Sequence, residues 1–325
     1  VRPRSPLALA LAVSTSLGAH AHGGTPLRRP LRPGAFSEGL AAVRGPVAAR
    51  GTVVVAAAPG GRVRIPGATF TMGSDVRDLE RARALCDKEP SRALCERVTS
   101  LEADQGLLRE TPAHTVTVSA FELDRFEVTV EAYGRCVSAG TCAAPGFPPG
   151  DARFDRPELP VTHVSWDDAA TFCAWMGGRL PTEAEWELAA RGPTGRDFPW
   201  GWTWDGRLCN HGSLSTDETD GSDGFLWLAP VGSFPGGATL LGVHDLAGNV
   251  SEWVLDRFDA TAFGNTAAGY APRPVTNPRV TTGARAVVRG GSWSTGALWQ
   301  RGASRWFRAP HLRTPDTGFR CAYDT

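Results

Sequence analysis

"PVTHVSWDDAATFCAWMGGRLPTEAEWELAARG", residues 160–192, holds the clearest helix signals in the chain. Ser165 precedes Asp168 by three residues, a box-like cap in which the hydroxyl accepts from a backbone N–H while the carboxylate reaches back. Behind it, Trp166, Ala169, Ala170, Cys173 and Met176 share one face of the predicted helix. Thr182 and Glu185 repeat the device as S/T-x-x-E, and Gly192 stops the second helix.

Working outward, "GRVRIPGATFTMGS" (61–74) sets Val63, Ile65 and Phe70 about Pro66-Gly67 in the manner of a hairpin. "HTVTVSAFELDRFEVTVEAYGRCV" (114–137) reads as strand, turn, strand and helix. Thr115, Thr117 and Ser119 alternate with Val116, Val118 and Ala120, and Thr129 caps a helix with Val130, Tyr133 and Val137 on one face. Residues 75–108 are charged, with helical stretches around Cys86 and Cys95, and read as an insertion over the surface. Residues 193–325 show short strands and loops without a fixed repeat. The pattern predicts a single α+β domain over 61–325, with two or three helices and much irregular backbone.

The 325 residues carry 34 Lys and Arg against 34 Asp and Glu, so no net field favours nucleic acid or an acidic membrane. Residues 1–22 place Arg2 and Arg4 before an apolar run from Leu7 to Ala19 and a small-residue end, the layout of a secretory signal peptide. Residues 23–60, rich in Arg, Pro, Ala and Gly, read as a disordered linker. No other stretch is long and apolar enough to span a bilayer. The expectation is a secreted or periplasmic monomer. Export permits disulfides, and the close spacings pair Cys86 with Cys95 and Cys136 with Cys142; seven cysteines leave one thiol over. None of the spacings is the CxxC of zinc or thioredoxin-like sites.

Two acidic stretches offer oxygen ligands. "NHGSLSTDETDGSDGF" (210–225) gathers Asp217, Glu218, Asp220 and Asp223 behind Asn210, and calcium accepts six to eight oxygens, backbone carbonyls included. A solvated loop has the same composition. "HDLAGNVSEW" (244–253) aims Asp245 and Glu252 about a Gly248-Asn249 turn, although an Asx-turn and helix start use the same residue types. No Gly-x-Ser-x-Gly elbow and no phosphate-cradling Gly-rich loop is present.

In order, "IPGATFTMGSD", "FELDRFEVTVEAYGRCV", the 160–192 stretch, "GVHDLAGNVSEWVLD" and "VVRGGSWSTGALWQRGASRWFRAPHLRTPDTGFRCA" resemble the formylglycine-generating enzyme (sulfatase-modifying factor) domain from about residue 62 to 325. The resemblance implies an α+β fold related to the C-type lectin fold, with little regular structure. It implies two calcium sites: Asn210, the carbonyl of His211, Asp223 and the carbonyl of Phe225; and Asp245, the carbonyls of Gly248 and Val250, and Glu252. It also implies a disulfide between Cys173 and Cys321, leaving Cys209 as the odd thiol beside the first calcium loop.

One departure bears on activity. The family's enzyme holds copper(I) through two cysteines after its Gly-Gly-Ser-aromatic motif, and those positions are Thr295 and Gln300 here. Copper(I) needs soft sulfur ligands, which a hydroxyl and an amide do not supply, so copper is not expected. In the same stretch, Trp293, Trp299 and Trp306 offer flat apolar faces, while Arg301, Arg305 and Arg308 have the forked donors that hold carboxylate, sulfate or phosphate. Two readings stand for these residues: a ligand pocket, or indoles and guanidiniums paired with buried acids to stiffen irregular chain. The expected function is a calcium-stabilised module without copper-dependent cysteine oxidase activity, binding a peptide, a protein or a small anionic ligand. The alternatives are an enzyme of different chemistry, as in cysteine-less relatives tied to oxidative tailoring of a peptide, or formylglycine generation through another ligand set.

Overall fold

Pro66 and Gly67 do not turn the chain back on itself. The computed structural model describes residues 61–99, 107–213, 220–258 and 274–325. In it, β1 (Arg62–Ile65) pairs with β4 (Phe121–Asp124), and β2 (Ala68–Met72) pairs with β3 (His114–Val118). Both pairings are antiparallel and share one register: Ile65 faces Phe121 before the break and Ala68 faces Val118 after it. The expected hairpin is instead one arm of a long ribbon, bent where Pro66 has no N–H for the ladder. Gly67 is required at the bend, because a β-carbon there would lie 2.7 Å from the nitrogen of Ala120 and 2.8 Å from the oxygen of Val118.

The bend sends the two halves of the ribbon into different sheets. One has the order β1-β4-β10 (Ala322–Asp324); the other is β2-β3-β6 (Val275–Thr276). A third sheet runs β8 (Arg305–Arg308), β7 (Arg285–Arg289), β5 (Ser251–Phe258), β9 (Thr317–Gly318). The helices are α1 (Val76–Ala84), α2 (Arg92–Val98), α3 (Val130–Ser138), α4 (Trp166–Trp175) and α5 (Glu183–Arg191). These are more than the two or three expected, because α1 and α2 are both built by the insertion.

Both predicted caps form. Asp168 N–H donates to Ser165 Oγ at 3.2 Å and Asp168 Oδ2 accepts from Ser165 N–H at 2.7 Å; Thr182 and Glu185 exchange the same bonds at 3.2 and 2.7 Å. Helix α4 buries Ala169, Phe172 and Cys173, so Phe172 joins a face that was predicted without it. Helix α5 is buried along its whole length although it carries charge at Glu183, Glu187 and Arg191. It is stable there because the charges are paired: Arg289 bridges Glu183 at 2.9 Å and Glu187 at 2.5 Å, and Arg191 meets Glu187 at 2.7 Å.

Three disulfides join Cys86 to Cys95, Cys136 to Cys142, and Cys173 to Cys321. The last ties α4 to the approach to β10 across a separation of 148 residues, the long closure for which crosslinks constrain the unfolded chain most. Cys209 is the free, buried thiol. Every described residue belongs to one compact unit. The expected signal peptide (1–22) and linker (23–60) lie outside the described residues. Among the described residues no helix is long and apolar enough to cross a membrane.

Candidate functional site

At the end of β7 the chain turns through Gly290 (φ 94°) and Gly291 (φ 69°), backbone that side-chain-bearing residues rarely adopt. A compact loop follows. Thr295 Oγ1 accepts from Ser292 N–H at 2.7 Å and donates to Ser292 O at 3.1 Å. A short 3-10 turn, Ala297–Gln300, then returns Gln300 to the same point, where its Nε2 donates to Ser292 O (3.0 Å), Thr295 O (2.7 Å) and Thr295 Oγ1 (3.1 Å). The two positions singled out in the sequence are therefore in contact, and both are occupied by hard oxygen and nitrogen groups.

Beside them opens a cleft of about 280 Å³ lined by Ser251, Thr295, Trp299, Ser304, Trp306 and Arg308. Trp299 and Trp306 meet edge to face, their centroids 5.1 Å apart at 72°. Trp306 is 40% exposed and is held from behind by Arg109, whose guanidinium carbon lies 4.1 Å from the ring centroid. Trp299 rests on the insertion, packed against the cluster of Leu79, Ala82, Cys86, Cys95, Leu107 and Leu298. The 75–108 segment thus backs Trp299, while the residues that line the cleft come from 251 and 288–308. Arg308 gives one donor to Asp316 at 2.6 Å and keeps a buried Nε without a partner. Among the described residues no carboxylate lines the cleft.

The other expected pocket residues lie elsewhere. Trp293 is buried in the main core, its ring 4.7 Å from that of Trp227 and its Nε1 donating to Pro315 O at 3.3 Å. Arg301 forks onto Glu110 at 2.9 and 2.6 Å, and Arg305 forks onto Glu183 at 2.7 and 2.9 Å, all four side chains buried. Their placement in a ligand pocket is corrected: buried carboxylates already take their donors. Trp299, Trp306 and Arg308 are brought together; Trp293, Arg301 and Arg305 are not.

The two acidic stretches meet beneath this cleft. Asn249 N–H donates to Asn210 O at 2.8 Å and Asn210 Nδ2 donates to Asn249 Oδ1 at 3.0 Å, so the loops are bonded to each other. Gly248 is obligatory in this approach, since a β-carbon would lie 2.1 Å from Asn210 O. In the first stretch, Asp223 accepts from His211 N–H (2.6 Å) and Phe225 N–H (2.8 Å), while Asn210 Oδ1 is buried without a partner among the described residues. Burial raises the Asp223 carboxyl above its ordinary value. Asp217 and Glu218 lie outside the described residues.

In the second stretch, Asp245 (φ 58°) accepts from Gly232 N–H at 2.7 Å. Glu252 is fully engaged: Arg320 donates to both of its oxygens at 2.7 and 2.8 Å and Trp186 Nε1 donates at 2.9 Å. Glu127, which the sequence reading missed, accepts from Asn249 Nδ2 (2.6 Å) and Val250 N–H (3.1 Å). Burial, with the charges of Asp245 and Glu252, pushes Glu127 well up, and burial brings Asp245 to about 6. Of these three buried carboxyl groups, Arg320 bonds Glu252, and the raised Glu127 and Asp245 favour their protonated forms until a cation compensates them. Among the described residues no three His, Cys, Asp or Glu side chains converge as a metal group, so a cation would rely on carbonyl and amide oxygens. Cys209 lies between the loops, its thiol held protonated by burial and by Asp223 and Asp245.

Residues 53–325 match the Sulfatase-modifying factor enzyme 1-like domain. The chain belongs to that family. It is 33% identical over 316 residues to the formylglycine-generating enzyme of Thermomonospora curvata, covering 81% of this chain and 93% of that protein. It is also 38% identical over 181 residues to the Inactive C-alpha-formylglycine-generating enzyme 2 of Mus musculus, 54% of this chain and 52% of that one. Among solved structures it is similar to PvdO from Pseudomonas aeruginosa, with a TM-score of 0.58 and 27% identity over 81% of this chain and 94% of that chain. The α+β architecture is thus the formylglycine-generating-enzyme-like fold. Within this sulfatase-modifying-factor frame, the Thr295–Gln300 contact takes the place where the resemblance expects a thiol pair.

Proposed function

We propose that this protein is an exported member of the family without copper(I)-dependent cysteine oxidation, and that it uses the cleft beside Thr295 to bind a peptide, a protein segment or a small anion. The observation that carries the reading is the 3.1 Å Gln300–Thr295 hydrogen bond at the positions of the thiol pair. A hydroxyl and an amide favour hard cations over copper(I). The cleft offers an indole wall and the partly paired Arg308, a combination suited to a flat or aliphatic group with an adjoining negative charge. Among the described residues the lining holds no carboxylate, so the alternative of another catalytic chemistry would need a general base from outside it.

Calcium is part of this proposal. The orphaned Asn210 Oδ1 beside Asp223 fits a cation held also by the carbonyls of His211 and Phe225. A second cation would be held by Asp245 and the carbonyls of Gly248 and Val250, and Glu252 would join them only by yielding a donor from Arg320 or Trp186. Bound calcium would neutralise these loops and brace the floor beneath the cleft. Three disulfides are compatible with an extracytoplasmic site of action.

The test is a mass-spectrometric turnover assay with calcium-loaded protein, copper(I), oxygen and a sulfatase-type Cys-x-Pro-x-Arg peptide. The peptide cysteine is expected to remain unchanged while the protein is folded. Conversion to formylglycine would overturn the proposal.

A further inference from the structure

A second pocket, sharing no lining residue with the aromatic cleft, lies where the bent ribbon meets the end of α5 and the turn at 239–243. It measures about 330 Å³ and is lined chiefly by Ile65, Pro66, Leu188, Leu240, Leu241 and Arg196. Two features set it apart from ordinary surface. The first is a pair of leucines at its rim, Leu240 at 90% and Leu241 at 47% exposure. They sit on a fixed turn: Thr239 N–H donates to Val243 O and Gly242 N–H to Thr239 O, each at 2.9 Å, and Thr239 Oγ1 accepts from Val243 N–H at 3.1 Å. Arg125 Nη1 adds a bond to Gly242 O at 3.1 Å. The turn is therefore locked with adjacent apolar side chains facing water, an arrangement that marks contact sites.

The second feature is Arg196. Arg289, Arg301, Arg305 and Arg320 each meet a carboxylate. Arg196 meets none among the described residues. Its Nε donates to Arg191 O at 3.3 Å, which places the guanidinium at the carboxyl end of α5, beside Gly192. Its Nη groups remain for a ligand. Burial alone acts on the group, lowering its proton affinity, and no carboxylate offsets the effect. An apolar cavity with one convergent charge is the usual design of a small-molecule site.

We propose that this pocket binds a small amphipathic carboxylate, an alkanoate whose chain lies along Ile65, Leu188, Leu240 and Leu241 and whose carboxylate meets the Arg196 guanidinium. A carboxylate fits the paired Nη donors, and the single charge in an otherwise apolar lining fixes the orientation of the chain. The site is independent of the function proposed for the aromatic cleft.

The experiment is calorimetric titration of the full chain with hexanoate, octanoate, decanoate and 1-octanol. Affinity is expected to rise about two- to fourfold per methylene as chain is buried. Octanoate should bind about tenfold or more tightly than 1-octanol, the contribution of a charge-assisted pair. Arg196→Gln should remove that preference, Leu240→Ser should weaken both ligands, and Trp306→Ala should change neither. No saturable octanoate binding, equal binding of octanoate and 1-octanol, or loss with Trp306→Ala but not with Leu240→Ser would each overturn the proposal. The octanoate to octanol ratio on the unaltered protein keeps the test intact should Arg196→Gln fail to fold.

Discussion

Gln300 and Thr295 are joined by a 3.1 Å hydrogen bond from Nε2 to Oγ1, at the bottom of a loop closed by Gly290 and Gly291. The frame therefore still presents two side chains to one point, and only their chemistry differs from a thiol pair. The double variant Thr295→Cys with Gln300→Cys should bind one copper(I), whereas the unaltered protein and either single variant should not. Competition against a chromogenic copper(I) chelator reads the result. A double variant that binds no copper would mean that the loop no longer holds the two positions at ligand distance.

Arg301 and Arg308 should separate cleanly on mutation. Arg301→Ala would leave Glu110 buried and unpaired, and loss of one partner of such a pair costs about 3–5 kcal/mol. Arg308 is partly exposed and pairs with the partly exposed Asp316, so Arg308→Ala should alter stability by about 1 kcal/mol or less. Denaturant unfolding of both variants measures the difference; equal losses would place Arg308 among the structural arginines.

Calcium removal should lower the melting temperature, because an ion bound only by the folded state stabilises it by mass action. Asn210→Ala deletes the orphaned Oδ1 and should reduce the calcium-dependent part of that shift without abolishing folding. A melt unchanged by strong chelation would count against both proposed sites.

Asp256 supplies a pH prediction. Burial, with the neighbouring Glu183 charge, raises its carboxyl to about 7 in the folded protein, against an ordinary value of 3.8. The folded state thus holds a proton there that the unfolded state releases, so this group's contribution to stability is full below about 4 and falls as pH rises to about 7. The slope is at most about 1.4 kcal/mol per pH unit. His163 and His244, both lowered by burial, act in the opposite direction below their unfolded values. Comparing Asp256→Asn with the unaltered protein isolates the aspartate: the difference in unfolding free energy should change across pH 4–7 and stay level above it. A constant difference over that range would show that Asp256 titrates normally.

What was legible in the sequence was local. The caps at Ser165 and Thr182 depend on residues three positions apart, and both form as read. The strands at 62–72 and 114–124 were also legible as strands. Whether Pro66-Gly67 turns or bends was not, because that choice is made by the partner strand lying alongside. The fates of Arg301 and Arg305 were equally hidden: their carboxylates stand 191 and 122 residues away. Glu127 sits within an ordinary strand-to-helix run, and only the folded chain carries it to Asn249 and the second acidic loop. Motif order therefore located the cleft, while charge pairing across the fold decided which of the candidate residues line it.

Trp299 both lines the aromatic cleft and packs against the cluster that holds Leu79, Cys86 and Leu298. Arg109, from the chain that leads out of the insertion, likewise backs Trp306. The cleft's indole wall is consequently buttressed from behind by a segment that contributes none of the described lining. Repacking that buttress would tilt Trp299 and Trp306 and so reshape the cavity without touching a lining residue.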